Sequence, residues 1–254
     1  MTPDLSTILA SFLVLILIFV PLERVFPARP GQPIRRPALF VDLTFLFGQY
    51  LVFSGLTLAA LHLVHAAVLP LSLKTAFTGL PLWAAVILAV SLGDLITYWF
   101  HRACHQYEFL WRFHAVHHSS EHLDWVAANR EHPLDGIVTQ TCINLPGMLL
   151  GVPFELLGGL IVFRGLWAIS IHSNLRLPLG PLRVLFGASD LHHWHHARVA
   201  RTRHNFANLA PYLDLLFGTY HRPRGPETYP LGIPEAWPRG YLAQLARPFR
   251  RTPP

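Results

Sequence analysis

Two histidine clusters do most to limit what this chain can become: HRACHQYEFLWRFHAVHHSSEH, from His101 to His122, and HHWHH, from His192 to His196. Of the sixteen histidines in the chain, thirteen fall in the windows 101–132 and 172–204. Their spacing is helical. His101 and His105 are four apart, His114 is followed three and four residues later by His117 and His118, and the same H-x-x-H-H pattern recurs at His192, His195 and His196. Residues three or four apart share a helix face, so each box is expected to present its imidazoles together. A single histidine near a membrane surface is usually a hydrogen-bonded interface residue, and His62, His65 and His221 read that way. Three boxes at matching spacing read instead as a metal site. Neutral imidazole suits iron, zinc, copper or nickel, so ligand type leaves the metal open. The eight box histidines exceed the needs of one ion, and two ions with four or five nitrogens each is the economical reading. His122 matches no box and reads as a bystander.

The rest of the chain decides where such a site sits. Over 254 residues, 52% are hydrophobic and 13% charged, which points to an integral multi-pass membrane protein. Residues 5–22 form a first apolar span, read as retained because no cleavage pattern follows it. The segment Glu23 to Arg36 carries Arg24, Arg29, Arg35 and Arg36 among prolines and is expected on the cytoplasmic side, leaving the N-terminus outside. Leu39 to about Leu71 is longer than one perpendicular helix needs, with Lys74 in the turn beyond it. A third span, Leu80 to Phe100, returns and runs into the first box. Residues 136–171 are apolar and divided near Pro146 to Pro153, so they form either a two-helix hairpin or a re-entrant pair, and both end where they began. The expected fold is all-α: a polytopic membrane helical bundle of about four spanning or re-entrant helices, capped by a cytoplasmic, histidine-rich metal-binding region. The expected divisions are anchor helices over 1–80, a catalytic region over 81–222 and a Pro/Arg-rich cytoplasmic tail over 223–254.

The formal charge of +6 comes almost entirely from arginines at membrane-flanking and C-terminal positions. No DNA- or RNA-binding module accompanies them, and no nucleic acid is expected as a partner. Two cysteines, Cys104 and Cys142, cannot supply an iron–sulfur cluster.

The three boxes, the eight-residue gap between the first and second, Arg130-Glu131-His132-Pro133, Asn205-Phe206-Ala207-Asn208-Leu209 and Leu216-Phe217-Gly218-Thr219 together resemble the fatty acid hydroxylase/sterol desaturase superfamily over roughly residues 85–222. The membrane acyl desaturases, with a similar three-box signature, usually separate the first two boxes more widely. The resemblance implies an endoplasmic-reticulum or bacterial inner-membrane oxygenase with two histidine-bound iron ions, or zinc as isolated, that hydroxylates, desaturates or cleaves a lipid using O2. Carried over position by position, it implies His101, His105, His114, His117, His118, His192, His195 and His196 as ligands, with His172 resembling an additional ligand between the second and third boxes. His193 is an extra histidine inside the third box, and His132 could be a ligand or a partner to one. Trp194 also departs from the pattern and could shape a substrate mouth or only pack.

Four carboxylates, Asp94, Asp124, Glu131 and Asp190, are candidates to offset the charge of such a centre through hydrogen bonds to its ligands. Asp94 lies seven residues before His101 on the same helical face and could equally serve helix packing. No nucleotide-binding or haem-attachment motif is present, so electrons are expected from a separate protein, to which Arg198, Arg201, Arg203, Arg222 and Arg224 could offer charge, although meeting anionic lipid headgroups is the commoner role for such arginines. Sterol, fatty acyl, sphingoid, carotenoid and ether lipids all remain open as substrates. A histidine-rich metal-binding or metal-transport protein is the competing class, but its ligands should lie along a path near mid-membrane.

Overall fold

The computed structural model describes residues 5–71, 79–199 and 202–250; Lys74 and Arg201 lie outside them. The described residues are helical, without a strand, and their only β pairings are isolated bridges such as Pro27 with Leu175. Ten α-helices follow in order: α1 (Leu5–Val25), α2 (Leu39–Gly48), α3 (Ser54–Val68), α4 (Leu82–Gln106), α5 (Glu108–His118), α6 (Pro133–Leu149), α7 (Phe154–His172), α8 (Ser189–His195), α9 (Tyr212–Leu216) and α10 (Tyr241–Ala246).

Four helical stretches are long and apolar enough to cross a membrane: Leu5–Val25, Leu39–Leu71, Leu82–Gln106 and Phe154–His172. The second exceeds an ordinary span because a π-turn over Gln49–Phe53 joins α2 to α3 without a break. Side chains such as Leu13, Leu17, Leu63, Trp83, Ile87 and Val162 face outward from these helices, as a lipid environment requires.

Residues 136–171 form a hairpin. Pro133 starts α6 at a position where its missing N–H costs nothing, and the His132 ring accepts from Leu134 N at 3.2 Å. Gly151, at φ 70°, takes the left-handed conformation that stops α6, and Pro153 precedes α7. At 17 residues, α6 is about 26 Å long, slightly short of the roughly 30 Å hydrocarbon thickness. It packs inside the bundle against α3 and α4.

The bundle has two ends. Leu61, Ala89, Met148 and Leu157 meet at the end where α3 stops, α4 starts and α6 turns into α7. At the other end Leu15, Phe19, Leu46, Trp125, Val126 and Ile169 form a second core cluster. Small residues let α4 and α6 approach closely: a Cβ on Gly93 would lie 2.4 Å from the Ile143 carbonyl oxygen. All the histidine boxes lie at the end that carries Trp125 and Ile169, together with the basic first loop, whose Arg29 and Arg36 bond Asn174 and Asp124 there. The C-terminal stretch folds back onto this end, with Tyr241 edge-on to Phe45.

Candidate metal centre

Nine histidines converge in two groups. His101 and His105 of α4, His114 and His118 of α5 and His195 of α8 form the first; His117, His172, His192 and His196 form the second. Within each group one ring nitrogen per residue lies within 4.8 Å of all the others. The groups adjoin, since the His118 and His196 rings stack at 4.3 Å. Each H-x-x-H-H box is divided between them, contrary to the expectation that a box acts as one face. His114 and His118, a full turn apart, point to one group and His117 to the other; His192 and His196 likewise separate from His195.

Backbone carbonyls fix the rings. His101 Nδ1 lies 2.7 Å from Phe206 O, His117 Nδ1 3.0 Å from Arg130 O, His172 Nδ1 2.6 Å from Ala168 O and His195 Nδ1 2.8 Å from His204 O. A carbonyl only accepts, so Nδ1 carries the proton and Nε2 is left with a bare lone pair. His117 Nε2 and His172 Nε2 nevertheless face each other at 3.0 Å, and His192 Nε2 lies 2.8 Å from His172 Nε2 and 3.1 Å from His196 Nε2. Four nitrogens about 2.0–2.1 Å from one ion would stand roughly 3–3.4 Å apart. In the first group the Nε2 atoms of His101, His105, His114, His118 and His195 are buried without a hydrogen-bond partner. Both donor sets therefore fit a soft-to-borderline transition metal ion bound by imidazole.

Burial holds these rings neutral. It lowers the His117 pKa to about 4, with nearby His114 adding to the effect, and lowers that of His195 to about 3. His118, His192 and His196 are likewise pushed well below the ordinary histidine range, chiefly by burial. Their lone pairs are consequently free for metal at neutral pH.

The two motifs after the third box hold this arrangement. Asn205, at φ 58°, spans Leu191 O and His221 O with its amide, while Asp214 accepts from Phe206 N, Ala207 N and the Thr219 hydroxyl. Thr219 also bonds Tyr98 OH at 2.7 Å. This loop aims the carbonyls of His204 and Phe206 at two of the rings.

The remaining candidates sit elsewhere. His132 caps α6 and its Nε2 lies 3.2 Å from Leu245 O, away from both groups. His193 has Nδ1 2.6 Å from Glu227 and Nε2 3.0 Å from Ser173 O, so neither nitrogen is available to an ion. Trp194 packs on His221 and Tyr229. The four carboxylates bond arginines or line the cavity rather than the rings. Asp94 takes Arg164 at 2.5 Å and Asp190 takes Arg183, in each case because the guanidinium is within reach and no imidazole is. Glu131 lines the cavity beside the rings, its carboxyl raised to about 8 by burial and then by Asp135. Asp124 acts at one remove: Arg36 bonds both Asp124 and Asp42, Asp42 bonds Arg130, and the Arg130 carbonyl receives His117. The carboxylate that does reach a ring of the two groups is Asp135, 2.8 Å from His114 Nδ1. Its place in the first turn of α6, after Pro133, was the available signal.

A cavity of about 170 Å³ runs from His101, His114, His117 and His172 inward between α4, α6 and α7, closed on one side by residues 206–210. A helical, membrane-spanning scaffold with nine convergent imidazoles at one end defines a class: integral membrane polyhistidine metalloproteins. Within that class, residues 86–219 match the family described as Fatty acid hydroxylase, and the chain belongs to it. It is 35% identical to ornithine lipid hydroxylase from Rhizobium tropici, covering 67% of this chain and 52% of that one. It is 32% identical to alkylglycerol monooxygenase from Danio rerio, over 63% and 36% of the two chains. A very-long-chain aldehyde decarbonylase from Oryza sativa subsp. indica is 30% identical over 55% of each. The chain thus spans about half the length or less of these relatives. No solved structure matches it significantly.

Proposed function

We propose that this protein is an O2-dependent lipid oxidoreductase that hydroxylates or desaturates an unactivated C–H bond at two iron ions. His101, His105, His114, His118 and His195 hold one, and His117, His172, His192 and His196 the other. The observation that carries the reading is the convergence of unprotonated Nε2 atoms, led by His117 and His172 at 3.0 Å, beside a cavity that both of these rings line. The relatives' names, which include a lipid hydroxylase and a lipid monooxygenase, support it.

Bound there, the irons would supply the electrons and Lewis acidity that activate dioxygen. The chain supplies geometry. Backbone carbonyls and Asp135 fix ring orientation, and Trp111 and Phe206 pack against His105 to keep bulk water from the first group. Electrons come from a separate protein, for which the exposed Arg203, Arg222 and Arg224 offer a basic approach. Arg198 is already bonded to Glu121. The boxes face the cytoplasm of a bacterial inner membrane, a placement supported by the basic first loop at the same end. Residues 1–80 serve as anchor, 81–222 as catalytic region and 223–254 as tail. A metal-transport role is disfavoured by ligands gathered at one end of the bundle.

Protein purified in detergent should contain two irons per chain, and cells expressing it should gain lipids heavier by one oxygen or lighter by two hydrogens. Zinc alone, with no oxygen-dependent product under any electron donor, would overturn the proposal.

A further inference from the structure

The inner end of the cavity carries an ion pair where a hydrocarbon tunnel would be apolar. Asp94 of α4 lies seven residues before His101, and Arg164 of α7 eight before His172, which puts both roughly 10–12 Å inward from the rings. Both line the cavity. Arg164 donates through Nη1 to Asp94 Oδ1 at 2.5 Å and through Nη2 to Val90 O at 3.0 Å. That uses two of its five N–H groups and one of the two carboxylate oxygens. Among the described residues, no further bond is made by Asp94 Oδ2 or Arg164 Nε. The same cavity is lined by Gln140, Trp167 and Asn208, and Trp167 Nε1 and Asn208 Oδ1 are buried without a protein partner.

An ionised pair inside a membrane bundle is costly unless its remaining capacity is used. A polymethylene chain laid across this wall would desolvate donors and acceptors and return nothing. A ligand carrying both a hydrogen-bond donor and an acceptor would satisfy them. We propose that Asp94 and Arg164 form a specificity subsite for the polar linkage of a lipid, an amide or hydroxyl-bearing group whose N–H or O–H meets Asp94 and whose carbonyl meets Arg164. Resting on the lipid-oxidation reading, this places the oxidised carbon roughly 10 Å from that linkage.

The test is binding to the purified metal-loaded protein, followed by native mass spectrometry, of N-palmitoylethanolamine, which has donor and acceptor, against methyl palmitate, which has only an acceptor. The wild-type protein should prefer the amide at least tenfold. Asp94→Leu combined with Arg164→Leu, which removes both the acceptor and the donor, should remove the preference while metal content stays at the wild-type level. The reversed pair, Asp94→Arg with Arg164→Asp, keeps a salt bridge but exchanges donor and acceptor, and should also lose the preference. Equal binding of the two lipids by wild type would overturn the proposal without any variant having to fold, and so would a reversed pair that keeps the full preference. Because the readout is binding, absence of any oxidised product would count against lipid oxidation alone, and oxidation without preference against the subsite alone.

Discussion

A neutral imidazole has one lone pair, and whatever its other nitrogen bonds decides where that lone pair points. Asp135 does this for His114 at 2.8 Å. Asp135→Asn should therefore weaken metal binding about 10–100-fold, read by competition with a chromophoric chelator, while leaving the helices intact. His172→Ala removes one of the four nitrogens of the second group, and metal analysis should show loss of about half the bound metal, with the first group still filled. Protons compete for the same lone pairs. His117 is held to about 4 against an ordinary 6.5, so between those values the unfolded chain binds more protons than the folded one. Stability of the chelator-stripped protein should consequently rise with pH across that window and be lost as pH falls through it. Thermal melts of stripped protein at pH 5 and pH 7.5 check the sign. Residue types and their spacing marked the candidate ligands in the sequence; the place of Asp135 after Pro133 was visible there too, but not its partner His114, because only folding brings the first turn of α6 beside α5.

At the scale of elements, two short helices do the sorting. One turn of α5 sends His114 and His118 to one group and His117 to the other, and α8 repeats the device with its own triplet. The boxes were visible as boxes, but their division depends on which neighbour faces each side of the helix. Likewise Asp94 shares the face of His101 in sequence, yet Arg164 of α7 captures it. The loop before α6 is tied to α2 by Asp42, which is fully buried and bonds both Arg36 and Arg130. Asp42→Ala would leave the Arg130 guanidinium without its carboxylate and Arg36 with Asp124 alone, at a cost of about 3–5 kcal/mol. A marked drop in melting temperature, with weaker metal retention through His117, is the expected result. Gly93→Ala should separate α4 from α6, where the new Cβ would meet Ile143 O, at about 1–3 kcal/mol.

For the molecule as a whole, orientation follows from counting crossings. With α1, the α2–α3 rod and α4 crossing and the α6–α7 hairpin returning to its starting end, a reporter at the C-terminus should be active on the cytoplasmic side and one at the N-terminus on the other. Paired fluorescent-protein and alkaline-phosphatase fusions measure this, and opposite signals would reverse the assignment of the boxes. Contacts from both outer parts of the chain reach the centre: Arg36 braces the Asp124 to Arg130 loop, and Glu227 holds His193. The sequence by itself determined the membrane-spanning helices, the nine candidate histidines and the family, because hydropathy, helical period and ligand type are properties of short stretches. Only the tertiary structure decided which nitrogens share a group, which carboxylate orients a ring and what charge lines the cavity. Those depend on pairs 21 to 105 residues apart, such as His114 with Asp135 and His101 with Phe206, that meet only when the bundle closes.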